Sequence, residues 1–261
     1  MLILNTLYIL SPIQGLLLFC NPIPGVYTPA CGLSRRRRLF SGQQYFLLNA
    51  LAVSQKGCTF ARMKKVLYIH GFASAGSTGS ATQMRAHLYP KGVQVVSPDV
   101  PTDPIEAIAF LRELVASEQP DLIVATSMGA LYAEQLRGRK RILVNPSFHM
   151  ARLLTFRGLG KREFRNKRQD GQTEFKVDKA MIQAFQQVEK DSFKGIDANE
   201  KALVWGLFGT QDKLVNCQSD FLKHYGREQM RLFEGEHFLN DKVLSKVVMP
   251  LVEASLEIQN K

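Results

Sequence analysis

Residues 124–130 read VATSMGA, where the apolar run Leu122 to Ala125 passes through a tight turn, Ser127 at its apex, into a segment with helical character. A serine on such a turn is held in a strained backbone conformation while strand and helix pack closely beside it. Its neighbours must therefore be small, a requirement that Ala125 and Gly129 meet. This is the pattern of a nucleophile elbow. A serine-containing helix start fits the same few residues equally well, and Ala125 stands where G-x-S-x-G has its first glycine. One added methyl leaves the turn feasible, so the surrounding sequence has to decide.

Working outward, short apolar runs alternate with helical periodicity from Met63 onward. Val66 to Ile69, Val93 to Val96, Leu122 to Ala125, Ile142 to Val144, Leu203 to Leu207 and Met230 to Phe233 are the expected strands. Several are apolar throughout, as strands buried on both faces should be. Pro104 to Ser117 is the clearest helix, with Asp103 as N-cap, Pro104 in the first turn, and Ile105, Ile108, Leu111, Leu114 and Val115 on one face. Lys242 to Ile258 is expected as the closing helix. The fold class that follows is α/β in three layers, a mostly parallel sheet flanked by helices. Residues 148–200 break the rhythm with a basic stretch, RGLGKREFRNKR, ahead of a helix expected around Val177 to Val188. They are read as a short insertion over the carboxyl edge of the sheet, where ligands bind in open α/β sheets.

That edge collects two more chemical residues. GTQDKLV, residues 209–215, directly follows an expected strand and carries Asp212; EGEHFLN, residues 234–240, follows the last strand and carries His237. A serine hydroxyl is a poor nucleophile at neutral pH. It needs an imidazole to accept its proton and a carboxylate to fix that imidazole's tautomer. Alone, Asp212 reads as a turn former and His237 as a loop histidine. Their joint placement after Ser127, in the order Ser, Asp, His, favours the catalytic assignment.

A further element is HGFASAGSTGS, residues 70–80, after the first strand. An oxyanion hole needs backbone N–H donors from this loop and from the residue after the nucleophile, which nominates the Phe72 and Met128 amides. His70 is expected to shape the loop through hydrogen bonds to nearby backbone. His149 follows the NPS turn at 145–147 and is left outside the triad as a solvated histidine.

With these motifs in hand, Met63 to the C-terminus resembles the small YqiA/YcfP-like branch of the α/β-hydrolases, whose members begin with a YLHGF-type strand and carry a GTSLGG-like elbow. Here the two read YIHGF (68–72) and ATSMGA (125–130). The resemblance covers essentially the whole core. It implies hydrolysis of a carboxylic ester or thioester through an acyl-enzyme on Ser127, with His237 activating water and Asp212 orienting it. It implies neither a metal nor an organic cofactor. Ala125 and Ala130 depart from the elbow pattern, and family membership names no substrate.

Composition separates the remainder of the chain. A 45% hydrophobic content over 261 residues allows one sizeable core, or a core plus an appendage. Residues 1–62 contain no Asp or Glu, and Arg35 to Arg38, Lys56 and Arg62 supply +6 of the formal +11. The excess lies in that segment and in the insertion, with no nucleic-acid-binding motif, so nucleic acid is not an expected partner. Cys20, Cys31, Cys58 and Cys217 form no disulfide or metal-ligand spacing. The opening MLILNTLYILSPIQGLLLFC lacks a basic start and a small-residue cleavage site and is broken by Pro12; as a membrane span it is weak. Residues 1–62 are accordingly expected to be an extension upstream of a cytoplasmic domain of residues 63–261. A membrane-tethered hydrolase is the variant in which they act as an anchor.

Two readings from different classes remain: a serine hydrolase acting on a small ester or thioester, and a non-catalytic protein that keeps the fold for binding. Arg157, Lys161, Arg162, Arg165, Lys167 and Arg168 either attract an anionic substrate, such as a phosphorylated or coenzyme A thioester, or form a solvated face.

Overall fold

The computed structural model describes residues 62–258. The extension expected over residues 1–62, with its targeting and anchoring readings, lies outside the described residues apart from Arg62. Six strands form one wholly parallel sheet: β1 (Lys64–Ile69), β2 (Val93–Val96), β3 (Leu122–Thr126), β4 (Lys140–Val144), β7 (Val204–Gly209) and β8 (Met230–Phe233), in the order β2-β1-β3-β4-β7-β8. The six strand runs expected from sequence are all present, several longer by one or two residues.

Period-two alternation divides each central strand between two apolar layers. Leu67, Ile69, Ile123, Ala125 and Leu143 face one core cluster, while Val66, Tyr68, Leu122, Val124, Ile142 and Val144 face the other. The first layer is closed by α2 (Pro104–Glu118), α3 (Met128–Glu134), α5 (Lys179–Glu189) and α7 (Gln218–Tyr225). The second is closed by α1 (Gly79–Leu88) and the C-terminal helical segment. Each fully buried Leu or Phe contributes about 1.5–3 kcal/mol. α2 forms as its sequence predicts: the Asp103 carboxylate accepts from Ile105 and Glu106 N–H at 2.8 and 3.0 Å, and Pro104 occupies the first turn, where no donor is needed.

Two expectations need correcting. The closing helix is not continuous: α8 (Asp241–Val243) gives way to a π-helical turn, Leu244–Val248, before α9 (Met249–Ser255). Pro250 cannot donate to the carbonyl four residues back, and the chain adopts the wider turn with Met249 N–H bonded to the Leu244 carbonyl. Within the insertion, the helix starts later than Val177, because Asp178 caps it by accepting from Met181 N–H at 3.0 Å. Val177 instead ends an antiparallel hairpin, β5 (Gly160–Glu163) with β6 (Glu174–Val177), in a stretch without the apolar alternation of a strand. Of the insertion, α4 (Met150–Arg157) and the segment between β5 and β6 reach the carboxyl edge, where they line a cavity together with Ser127. α5 buries Met181, Phe185 and Val188 in the first core layer, against α2 and α4. Ala198–Ala202 forms the short α6 that leads into β7.

The strand order reverses direction between β1 and β3, so the loops leaving their carboxyl ends diverge and open a crevice. Ser127 and the loop that begins at His70 both sit there.

Candidate active site

Ser127 joins β3 to α3 with φ 53° and ψ −119°, a left-handed conformation that costs a non-glycine residue of order 1–3 kcal/mol. The surrounding bonds hold it there. Its N–H donates to the Val144 carbonyl at 3.0 Å, and its carbonyl accepts from Ala130 and Ser147 N–H at 3.0 and 3.1 Å. Gly129 is required by close approach, since a Cβ there would lie 2.5 Å from the Ile69 carbonyl oxygen and 2.6 Å from that of His70. Gly71 brings the other loop against the serine in the same way, its virtual Cβ falling 3.2 Å from Ser127 Cβ. Ala125 is fully buried in register with Ile69 and Leu143.

The three residues expected to work together are brought together. His237 Nε2 lies 2.9 Å from Ser127 Oγ, and His237 Nδ1 lies 2.7 Å from Asp212 Oδ2. The other oxygen of Asp212 accepts from Leu214 and Val215 N–H at 2.8 and 3.0 Å. Burial pushes the Asp212 pKa up, but the His237 hydrogen bond, the His237 charge and the two amides outweigh it and leave the carboxyl below its ordinary value. The His237 and Asp212 side chains are 7% and 6% exposed, which shields their contact from competing water.

Phe72 and Met128 flank the serine. Met128 begins α3, so its N–H has no intrahelical acceptor, and among the described residues neither amide is engaged by another backbone carbonyl. His70 takes the structural place expected of it. Val100 N–H donates to its Nε2 at 3.0 Å and its Nδ1–H donates to the Gly71 carbonyl at 2.9 Å, which fixes one neutral tautomer; burial lowers its pKa. His149 is half exposed and pairs with Asp220 at 3.0 Å.

One further residue supports this arrangement without belonging to any of the motifs. Asn145, at the end of β4 and 3% exposed, donates through Nδ2 to the carbonyls of Glu236 and His237 at 2.9 and 3.0 Å, and its Oδ1 accepts from Gly209 N–H at 2.7 Å. It ties together the loops that carry the histidine and the aspartate. The signal was a lone amide side chain directly after the apolar run Ile142 to Val144.

A cavity of about 380 Å³ opens at Ser127 and His237. Tyr68, Ser74, Thr78 and Ser80 supply hydroxyls, Met150, Leu153, Leu214 and Val215 supply hydrocarbon, and Arg157, Arg165 and Asn166 come from the insertion. A donor group of His149, Cys217 and Asp220, with ligand atoms within 4.8 Å of one another, lies beside it. Its histidine and aspartate are hydrogen-bonded to each other, and burial pushes the Cys217 thiol up to about 11, away from the thiolate a metal would take.

Residues 65–244 match a family described as Uncharacterised protein family (UPF0227). The chain belongs to UPF0227. This is the YqiA/YcfP family to which its YIHGF and ATSMGA motifs point. Among solved structures, the UPF0227 chain is similar to Est1E from Butyrivibrio proteoclasticus, with 18% identity and a TM-score of 0.53 over 75% of this chain and 88% of that one. It is also similar to alpha/beta hydrolase domain-containing protein 10 from mouse, with 12% identity and a TM-score of 0.53 over 74% and 89% of the two chains. At these identities the likeness establishes the α/β-hydrolase fold. No curated protein matches the sequence. No helix among the described residues is long and apolar enough to cross a membrane.

Proposed function

We propose that residues 63–261 form a serine hydrolase domain that cleaves a carboxylic ester or thioester of a small substrate through an acyl-enzyme on Ser127. The observation that carries this reading is the unbroken hydrogen-bond chain from Ser127 through His237 to Asp212, at 2.9 and 2.7 Å, opening onto the cavity.

In acylation, Ser127 Oγ attacks the carbonyl carbon as its proton passes to His237 Nε2, and Asp212 stabilises the resulting imidazolium. The carbonyl oxygen becomes an oxyanion that accepts from the Phe72 and Met128 amides. The tetrahedral centre collapses, the bond to the leaving oxygen or sulfur breaks, and His237 Nε2–H protonates the departing group. Water then attacks the acyl-enzyme, giving a proton to Nε2. The second collapse releases the acid and returns that proton to Ser127 Oγ.

Labelling with a fluorophosphonate probe tests this, run on wild type and on Ser127→Ala beside a p-nitrophenyl ester series. Labelling of wild type that vanishes in the variant is the expected result. A folded wild type that neither labels nor hydrolyses any ester of the series would overturn the proposal and leave the non-catalytic binding reading.

A further inference from the structure

The six basic residues of the stretch RGLGKREFRNKR, residues 157–168, divide sharply by environment. Lys161 pairs with Glu174 at 2.6 Å on the outer surface. Arg162 donates to the carbonyls of Lys161, Arg157 and Gly158. Arg168 is buried, chelating Asp170 and donating to the Val100 carbonyl at 3.1 Å, so it anchors the hairpin to the core. Of the six, Arg157 and Arg165 line the cavity that holds Ser127, and neither guanidinium has a carboxylate partner among the described residues.

Arg165 is held in place. Its N–H donates to the Ala73 carbonyl at 2.9 Å, and its guanidinium lies 4.5 Å from the centroid of the Phe238 ring, next in sequence to His237. Beside it, Ser74 Oγ donates to Asn166 Oδ1 at 2.9 Å and Ser77 Oγ to the Lys167 carbonyl at 2.6 Å, stapling this segment to the loop that carries Phe72. Partial burial, and then the charge of Arg157, lower the Arg165 pKa. Both arginines line one cavity, and among the described residues neither has a counterion and no aspartate or glutamate lines that cavity. An anionic group there would relieve the repulsion between them and accept charge-assisted hydrogen bonds from both forks.

We infer that Arg157 and Arg165 form the subsite for an oxyanion group, carboxylate or phosphate, carried by the ester that Ser127 attacks. This rests on the hydrolase reading. Met150, Leu153, Leu214 and Val215 then line the path for the hydrocarbon that links anion and ester, and the positive mouth raises the local concentration of anionic substrate.

The test compares kcat/KM for matched anionic and neutral esters. One arm sets monomethyl glutarate against methyl pentanoate, with the carboxylate in the acyl part. The other sets acetylglycerol phosphate against acetylglycerol, with the phosphate in the alcohol part. The wild type should prefer the anionic ester in at least one arm by about tenfold or more, the scale of a charged hydrogen bond, and less so at high salt. The responding arm identifies the source of the anion. Arg157→Met combined with Arg165→Met should bring the ratio close to one, whereas Lys161→Met should leave it unchanged. A wild type that labels with fluorophosphonate but shows no anionic preference in either arm, or a preference that survives the double substitution, overturns the inference and leaves the hydrolase reading standing. A folded wild type that neither labels nor hydrolyses any ester overturns both.

Discussion

The Asn145 side chain holds the backbone of His237 in place, its Nδ2 donating to the His237 carbonyl at 3.0 Å. Because the same side chain accepts from Gly209 N–H, the position of the base and the start of the loop bearing Asp212 depend on one buried amide. Asn145→Ala leaves two carbonyls and one N–H without their partner, at a cost of about 1–3 kcal/mol for a buried unsatisfied group. Asn145→Asp keeps the acceptor but loses the donor. Both variants should lower kcat for ester hydrolysis more than they raise KM, because the effect reaches substrate only through His237. Steady-state kinetics beside thermal melts checks this; an unchanged kcat in a destabilised protein would reduce Asn145 to a purely structural part.

Gly129→Ala should be among the most damaging single-methyl changes in the domain. The new Cβ meets two backbone carbonyls at 2.5 and 2.6 Å, and those carbonyls belong to β1 and the loop carrying Phe72, which cannot rotate away as a side chain would. A loss of about 1–3 kcal/mol or more is expected by overpacking, with loss of probe labelling. Gly79→Ala, where a Cβ meets nothing within 4 Å, is the matched control and should leave the denaturation midpoint unchanged or slightly raised.

Acid should loosen the loop after β1 through His70. Burial holds its folded pKa below the ordinary 6.5, so between those two values the unfolded chain binds more protons than the folded one. The stability it contributes is complete above the unfolded pKa, is lost as pH falls below it, and levels off beneath the lower folded value. Chemical denaturation at stepped pH should show a steeper loss below about pH 6.5 in wild type than in His70→Asn. Equal slopes would place the acid sensitivity elsewhere.

A buried ion pair on the first layer should tolerate joint replacement better than single replacement. Arg141 is fully buried; it donates to the carbonyls of Ala133 and Glu134 and pairs with Glu200, and burial lowers its pKa. Glu200→Ala strands the guanidinium in the core and should cost about 3–5 kcal/mol. Arg141→Met with Glu200→Leu should recover much of that loss, read as the coupling in a double-mutant cycle of urea denaturations.

Much of the fold was legible because its signals are local. The parallel strands announced themselves as short apolar runs, since each is covered on both faces, and α2 was marked by an N-cap, a first-turn proline and an apolar stripe. The hairpin β5–β6 was not legible. Its strands, GKRE and EFKV, are short and mostly polar, and it is held by contacts made from outside itself: the Phe72–Phe175 edge contact, Arg168 with Val100, and the Ser74 and Ser77 bonds. The closing helix was expected over Lys242 to Ile258, but the π turn ahead of Pro250 required counting a missing donor.

The sequence by itself determined the strands of the sheet, the turn at Ser127 and the chain order of serine, aspartate and histidine, because periodicity and turn chemistry act over a few residues. Only the tertiary structure decided that Asn145 clamps two of the site's loops, that Arg168 is an internal anchor, and that Arg157 and Arg165 face the cavity with no carboxylate partner among the described residues. Those outcomes depend on which side chains meet across residues far apart in the chain, and spacing along a sequence carries no information about partners brought together by packing.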